Sequence, residues 1–202
     1  MAESVDAGDF SVAVRELEWV ESNPVRRVER FPESRGRTRF LDAEERDRLL
    51  QACAHSSSRH LHGAVAVALG TGGRHGEVLG LRWRDVNLRP GEAAVTFRDT
   101  KNGETRTVAL EGLAWDALRQ AHSHRRLDTD LVFPSRRGDR PASIRNAFDR
   151  AVSEAGLEDF RFHDLRHTFA SYLAMSGATL AEIADALGHK TLAMVKRYAH
   201  LS

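Results

Sequence analysis

The sequence predicts an α+β fold, predominantly α-helical with a small antiparallel β-sheet. Three observations carry that expectation. Apolar residues recur at helical spacing along most of the chain, two short alternating segments flank Asn102-Gly103, and the 202 residues are 41% hydrophobic and 29% charged. That balance belongs to a globular chain, and the length allows one full domain with an appendage. The single cysteine, Cys53, excludes an internal disulfide and every multi-cysteine zinc pattern. The N-terminus lacks a signal-peptide pattern and no stretch reaches the ~18 apolar residues of a membrane span, so a cytoplasmic protein without a membrane partner is expected. Net charge is only +1, yet just three of the 30 cations are lysines (Lys101, Lys190, Lys196). Any basic surface is therefore local, and it is built from arginine, the side chain suited to bidentate phosphate contacts.

In chain order, Phe10, Val12, Val14, Leu17, Trp19 and Val20 form a short helical pattern that stops before Ser22-Asn23-Pro24. Residues 25–39 carry six arginines with Pro32 and Gly36 and no apolar period. Residues 1–39 thus read as a helix and basic linker, and 40–202 as the main domain. Asp42-x-x-Glu45 is a capping box before the next helix, and Leu61–Leu69 is apolar enough to be buried. The run Gly70-Thr71-Gly72-Gly73 ends that helix, and a short helix follows over Arg74–Leu81. Ala94–Phe97 and Thr105–Leu110 alternate as strands, joined at Asn102-Gly103 by a tight turn. Helices are expected over Leu113–His122 and Ile144–Ala155, with the apolar piece Leu131–Pro134 between them. In the helix after Phe162, Leu165, Phe169, Tyr172 and Leu173 lie on one side, with His163, Arg166 and His167 opposite. Thr179 and Glu182 cap the next helix, Gly188 ends it, and a last helix is expected from about Thr191 through Tyr198.

Several of these residues match the needs of phosphodiester chemistry: cations for the free oxygens, a nucleophile and a proton donor. Arg74 follows a glycine-rich break, and Glu77 is placed to hold its guanidinium. Lys101 sits at the hairpin tip, where an ammonium could protonate a leaving oxygen. His163, Arg166 and His167 share a helix face. His189 follows a helix exit, where a plain helix-end cation is the competing reading. Tyr198 lies among Lys196, Arg197 and His200. His163 and His167 also have the i,i+4 spacing of two zinc ligands, but no Glu follows the first histidine and a third ligand is lacking, so no metal is expected.

The order of these motifs carries a resemblance. Thr71-Gly72-Gly73-Arg74-His75-Gly76-Glu77, Thr100-Lys101-Asn102-Gly103, His163-Asp164-Leu165-Arg166-His167, Leu187-Gly188-His189 and Arg197-Tyr198-Ala199-His200 together resemble the signature of the tyrosine recombinase, or phage integrase, family. The resemblance covers about residues 40–202, and Asn23-Pro24-Val25 resembles the end of that family's N-terminal core-binding domain. It implies the catalytic-domain fold of the DNA breaking-rejoining enzymes and site-specific recombination of double-stranded DNA. Arg74 and Arg166 would clamp the scissile phosphate, with Glu77 supporting Arg74. Tyr198 would attack the phosphorus to form a 3′-phosphotyrosyl link, and Lys101 would protonate the 5′-oxygen. His163 would serve in acid–base chemistry, His189 would bond a phosphate oxygen, and His167 would support the motif's geometry. Neither metal nor ATP, nor any other cofactor, would be needed.

Most of the core-binding domain's length is missing and the chain ends four residues after Tyr198. The expectation is weak DNA binding, a monomer in isolation with poor or no recombination, and a homotetramer on synapsed DNA. A different class competes. Residues 179–195 resemble a helix-turn-helix, which alone would suit a non-catalytic DNA-binding module. A third reading, a zinc hydrolase built on His163 and His167, would require stoichiometric metal.

Overall fold

The computed structural model describes residues 7–27, 39–98 and 105–201. The chain divides into two units, Met1–Arg37 and Thr38–Ser202. In the first, α1 spans Ala7–Arg15 and a 3-10 turn spans Pro24–Arg27. The helix is shorter than its apolar pattern suggests, because Glu18 adopts a positive φ of 51°. Leu17, Trp19 and Val20 therefore lie beyond it and are exposed.

The second unit is built around α3 (Leu61–Thr71), which is buried on nearly every side. A helix apolar all round belongs in a core, and α5 (Gly112–Ser123) and α7 (Asp164–Met175) pack against it. The helix α2 (Ala43–His55) begins at the expected capping box, with Asp42 Oδ1 accepting from the Glu45 N–H at 2.8 Å. It packs on α3 and on α6 (Arg145–Glu154). The helix α3 runs two residues past Leu69, since the Thr71 hydroxyl donates back to the Val67 carbonyl at 2.6 Å. It stops at Gly72, whose φ of +62° places it in the left-handed region. An added Cβ there would lie 2.5 Å from Phe169 Cδ1, so both the turn and the packing require glycine.

The helix α4 is a single short piece, His75–Leu79. The sheet has three antiparallel strands in the order β1 (Val86–Asn87), β2 (Ala94–Phe97), β3 (Arg106–Ala109). Two residues cannot display an alternation, which is why β1 escapes a reading of the sequence. Thr105 and Leu110 fall outside β3, and the turn at Asn102-Gly103 with Lys101 lies outside the described residues. Val95 and Phe97 point inward from β2, as do Arg106 and Val108 from β3.

Two features near the C-terminus depart from the local pattern of the sequence. The face of α7 that carries Arg166 and His167 is not solvated: both side chains are buried, as are Asp164, Leu165 and Thr168. This helix is wrapped on both sides. The segment after α8 (Leu180–Leu187) is not an α-helix but two 3-10 runs, Leu192–Met194 and Lys196–Leu201. Val195, Tyr198 and Leu201 recur every three residues, the period at which 3-10 side chains eclipse. Val195 and Tyr198 are buried there, and Leu201 is half-buried. A helix-turn-helix needs a second α-helix to enter a groove, and among the described residues none follows α8.

Candidate active site

The loop leaving α3 places Arg74 at the N-cap of α4. Its backbone N–H donates to Glu77 Oε2 at 2.9 Å and its Nη1 to Glu77 Oε1 at 2.6 Å. The backbone N–H is therefore already committed within the protein, and the guanidinium is the part of Arg74 left to face an anion. Glu77 has a second cationic partner: Arg106 Nη2 donates to its Oε2 at 2.7 Å. Burial alone would raise the Glu77 pKa, but bonds from Arg106, the Arg74 N–H and the Arg74 guanidinium outweigh it, holding the carboxyl down at about 2.

Arg106 is the residue a reading of the sequence misses. It stands in the first inward position of β3, with its guanidinium carbon 4.6 Å from the centre of the Phe97 ring. Its Nε donates to the Ala186 carbonyl at 3.1 Å, at the end of α8. An arginine in the inward register of a strand that otherwise buries Val108 was the available signal. Gly188, with φ of +62°, lies against it: an added Cβ would stand 3.1 Å from Arg106 Cδ.

The N-terminal part of α7 delivers Arg166 between two loops. Its Nη1 donates to the Gly72 carbonyl at 2.7 Å, and its Nη2 donates to the Leu187 carbonyl. One guanidinium thus ties the end of α3, which leads to Arg74, to the end of α8, which leads to His189. Burial first, then the positive charges of Arg74 and Arg106, pull its pKa down to about 9. A buried arginine among two others is primed for an anion, whose charge would relieve that repulsion.

Three histidines border this cluster. His163 is the N-cap of α7 and is exposed; its pKa is lowered by partial burial and by Arg166. His189 follows Gly188, and its N–H donates to the Ala184 carbonyl at 2.8 Å. Burial, Arg166 and Arg74 push its pKa down to about 4, so it is neutral at physiological pH and not the helix-end cation considered above. His189 Nδ1 and Arg106 Nη1 are buried without a hydrogen-bond partner among the described residues.

His167 reaches the remaining residue. Its Nδ1 lies 2.5 Å from the Tyr198 hydroxyl, and its ring meets that of His163 edge-on with centroids 5.2 Å apart. Tyr198 is only 3% exposed, in a small apolar cluster with Ala170, Ala174, Ile183, Leu187 and Val195. Of the two tyrosines it is Tyr198 that is buried, while Tyr172, on the apolar side of α7, is half-buried beneath Arg46. Burial raises the Tyr198 pKa, and Arg197 and Arg166 act against that rise. Arg74, Glu77, His163, Arg166, His167, His189 and Tyr198 thus belong to one locality, and Lys101 lies outside the described residues. Among the described residues no three His, Cys, Asp or Glu side chains are grouped to hold a metal ion, and no helix is long and apolar enough to cross a membrane.

Comparison with known proteins identifies the family of the chain. The integrase of Salmonella phage P22 is 30% identical over 200 residues, covering 94% of this chain and 50% of its own length. The shufflon-specific DNA recombinase of Escherichia coli is 34% identical over 193 residues, covering 95% of this chain and 48% of its own. The chain spans about half the length of these relatives. Among solved structures, the catalytic domain of bacteriophage HP1 integrase superposes with a TM-score of 0.64 at 31% identity, covering 81% of this chain and 88% of that one. The XerA recombinase superposes with a TM-score of 0.70 at 28% identity, covering 87% and 62%. The profile of the phage integrase family matches residues 39–202, and the chain belongs to that family.

Proposed function

We propose that the chain carries out site-specific recombination of double-stranded DNA, cleaving and rejoining strands through a 3′-phosphotyrosyl intermediate. The observation that carries this reading is the joint made by α7: Arg166 binds the loops that hold Arg74 and His189, and the next residue, His167, touches the Tyr198 hydroxyl. In this reading a DNA phosphate binds between the two guanidinium groups and meets the phenol on the neighbouring segment.

In this reading Arg74 and Arg166 hold the non-bridging oxygens of the scissile phosphate, and Glu77 fixes the Arg74 fork. Tyr198 Oη attacks the phosphorus, and the 5′-oxygen departs with a proton from Lys101. His163 assists in proton transfer and His189 donates to a phosphate oxygen. Each preorganised donor facing charge that builds on phosphorus contributes roughly 10²–10³ in rate. The phosphotyrosyl bond conserves the energy of the phosphodiester, so the 5′-hydroxyl of another strand reverses the step and completes exchange. Residues 1–39 act as the remnant of a core-binding domain joined to a catalytic domain over 40–202. The working assembly is a homotetramer on two synapsed duplexes in the cytoplasm, with a monomer as the isolated state. Neither metal nor another cofactor enters the reaction.

The test is a covalent trap. The chain and its Tyr198→Phe variant are incubated in EDTA with fragmented DNA of the source genome, denatured in detergent, and assayed for DNA bound to protein. Adducts from the unaltered chain alone are expected, and the attached DNA reports the target sequence. Adducts from both proteins, or from neither, would overturn the reading.

A further inference from the structure

We infer, resting on the phosphotyrosyl reading above, that Arg106 is a positioning residue for strand cleavage. Its buried guanidinium holds Arg74, through Glu77, in register with His189, through the end of α8, so that both meet the same phosphate.

Arg106 has a fixed place before DNA arrives. Its side chain is 6% exposed, and its guanidinium carbon stands 4.6 Å from the centre of the Phe97 ring on β2. From there it bonds in two directions. Nη2 donates to Glu77 Oε2 at 2.7 Å, and the other oxygen of that carboxylate accepts from Arg74 Nη1 at 2.6 Å. Nε donates to the Ala186 carbonyl at 3.1 Å, in the last turn of the helix that leads to His189.

The end of α8 gives that second bond its consequence. A helix leaves its last four carbonyls without intrahelical donors. Here Ala184 accepts from the His189 N–H at 2.8 Å and Asp185 from the Gly188 N–H at 2.9 Å. The other two accept from arginine side chains, Ala186 from Arg106 and Leu187 from Arg166. One guanidinium fixes how far this helix end stands from the site; two on adjacent carbonyls also fix its rotation, and with it the direction in which His189 leaves. Both cations suit the negative end of the helix dipole. Gly188 allows the close approach, since a Cβ there would lie 3.1 Å from Arg106 Cδ.

The ion pair with Glu77 does not by itself account for Arg106. Arg74 already gives that carboxylate a counter-charge. Arg106 Nη1 is buried with no hydrogen-bond partner among the described residues, and a buried donor left unpaired costs about 1–3 kcal/mol, more when charged. Well-packed apolar groups of similar volume often match a buried ion pair in stability. What they do not supply is a rigid fork that spans a carboxylate on one element and a carbonyl on another.

The experiment uses the full chain with Arg106→Met and Arg106→Lys. Methionine fills the space over Phe97 without a donor; lysine keeps the charge and loses the fork. The probe is a synthetic duplex of the sequence recovered from wild-type adducts, nicked beside the cleavage point so that the released piece diffuses away. DNA affinity and the single-turnover rate of adduct formation at saturating protein are measured separately. Both variants are expected to bind the duplex within about threefold of the wild type and to form adducts about 10²-fold more slowly, the cost of misplacing a reacting group by about 1 Å. The substitutions are then repeated in Arg74→Ala and in His189→Ala. A residue that acts by placing those two groups has less to place once either is gone, so its loss should cost about tenfold or less in each background. A merely structural role predicts the same cost in the wild type and in both backgrounds. That result, a rate within about threefold of the wild type, or a loss confined to DNA affinity would overturn the assignment alone. If Arg106→Met does not fold, the Arg106→Lys series decides by the same outcomes. A wild-type chain that forms no adduct would overturn the functional reading and the assignment with it.

Discussion

Replacing Glu77 by glutamine keeps the size of the side chain and removes the one negative charge shared by Arg74 and Arg106. The carboxyl pKa is drawn from 4.5 down to about 2. At roughly 1.4 kcal/mol per pKa unit, this is worth about 3 kcal/mol of folding stability at neutral pH. The Glu77 side chain is only 8% exposed, so solvent screening removes little of it. A carboxyl whose folded pKa is depressed stabilises fully above its unfolded value of 4.5 and loses that contribution as pH falls through about 2. The difference between the unaltered chain and Glu77→Gln should therefore be about 3 kcal/mol at pH 7 and about 1.4 kcal/mol at pH 3. Urea unfolding of both proteins at the two pH values measures it. At pH 7 the midpoint should drop by about 1–3 M for an m-value of about 1–3 kcal/mol per M. Other acid-sensitive groups act on both proteins alike and cancel in the difference. Equal stability at pH 7, or a gap that does not narrow in acid, would refute the argument that Glu77 is ionised and clamped by two arginines.

Two further outcomes follow from the same geometry. Gly72→Ala places a Cβ in the left-handed region and 2.5 Å from Phe169 Cδ1, and should destabilise by about 2–4 kcal/mol in urea unfolding; a change below about 0.5 kcal/mol would show that the turn relaxes freely. His189 should titrate near 4 in an imidazole-resolved NMR experiment. Because its folded pKa lies below the ordinary 6.5, the stability it contributes is complete above pH 6.5 and is lost as pH falls through 4. A midpoint at or above 6.5 would place His189 outside the influence of Arg166 and Arg74.

Much of the architecture could be read from local patterns. The capping boxes at Asp42–Glu45 and Thr179–Glu182 are contacts between residues three apart, so their chemistry is complete within four residues of sequence. The burial of α3 follows from its unbroken apolar run, and the hairpin strands from alternation on either side of Asn102-Gly103. The Arg74–Glu77 pair was legible for the same reason. The last segment is 3-10 and not α-helical, and its sequence does not distinguish the two because a period near three and one near 3.6 differ little over ten residues; the burial of Val195 and Tyr198 separates them.

The candidate site was legible as a set of residue types in order, since each motif is short and each member suits the handling of a phosphate. Its wiring was not. Arg166 bonds carbonyls 94 and 21 residues away, Arg106 reaches Glu77 across 29, and His167 meets Tyr198 across 31. The sequence by itself determined the helices from α2 to α8, the two capping boxes, strands β2 and β3 and the inventory of reactive groups, because those depend on neighbours within a turn or a hairpin. Only the tertiary structure decided that the α7 face with Arg166 and His167 is interior, that a third arginine shares Glu77, and that Tyr198 is the buried tyrosine. Burial and long-range hydrogen bonds depend on which surfaces the folded chain closes over one another, and no local period encodes that.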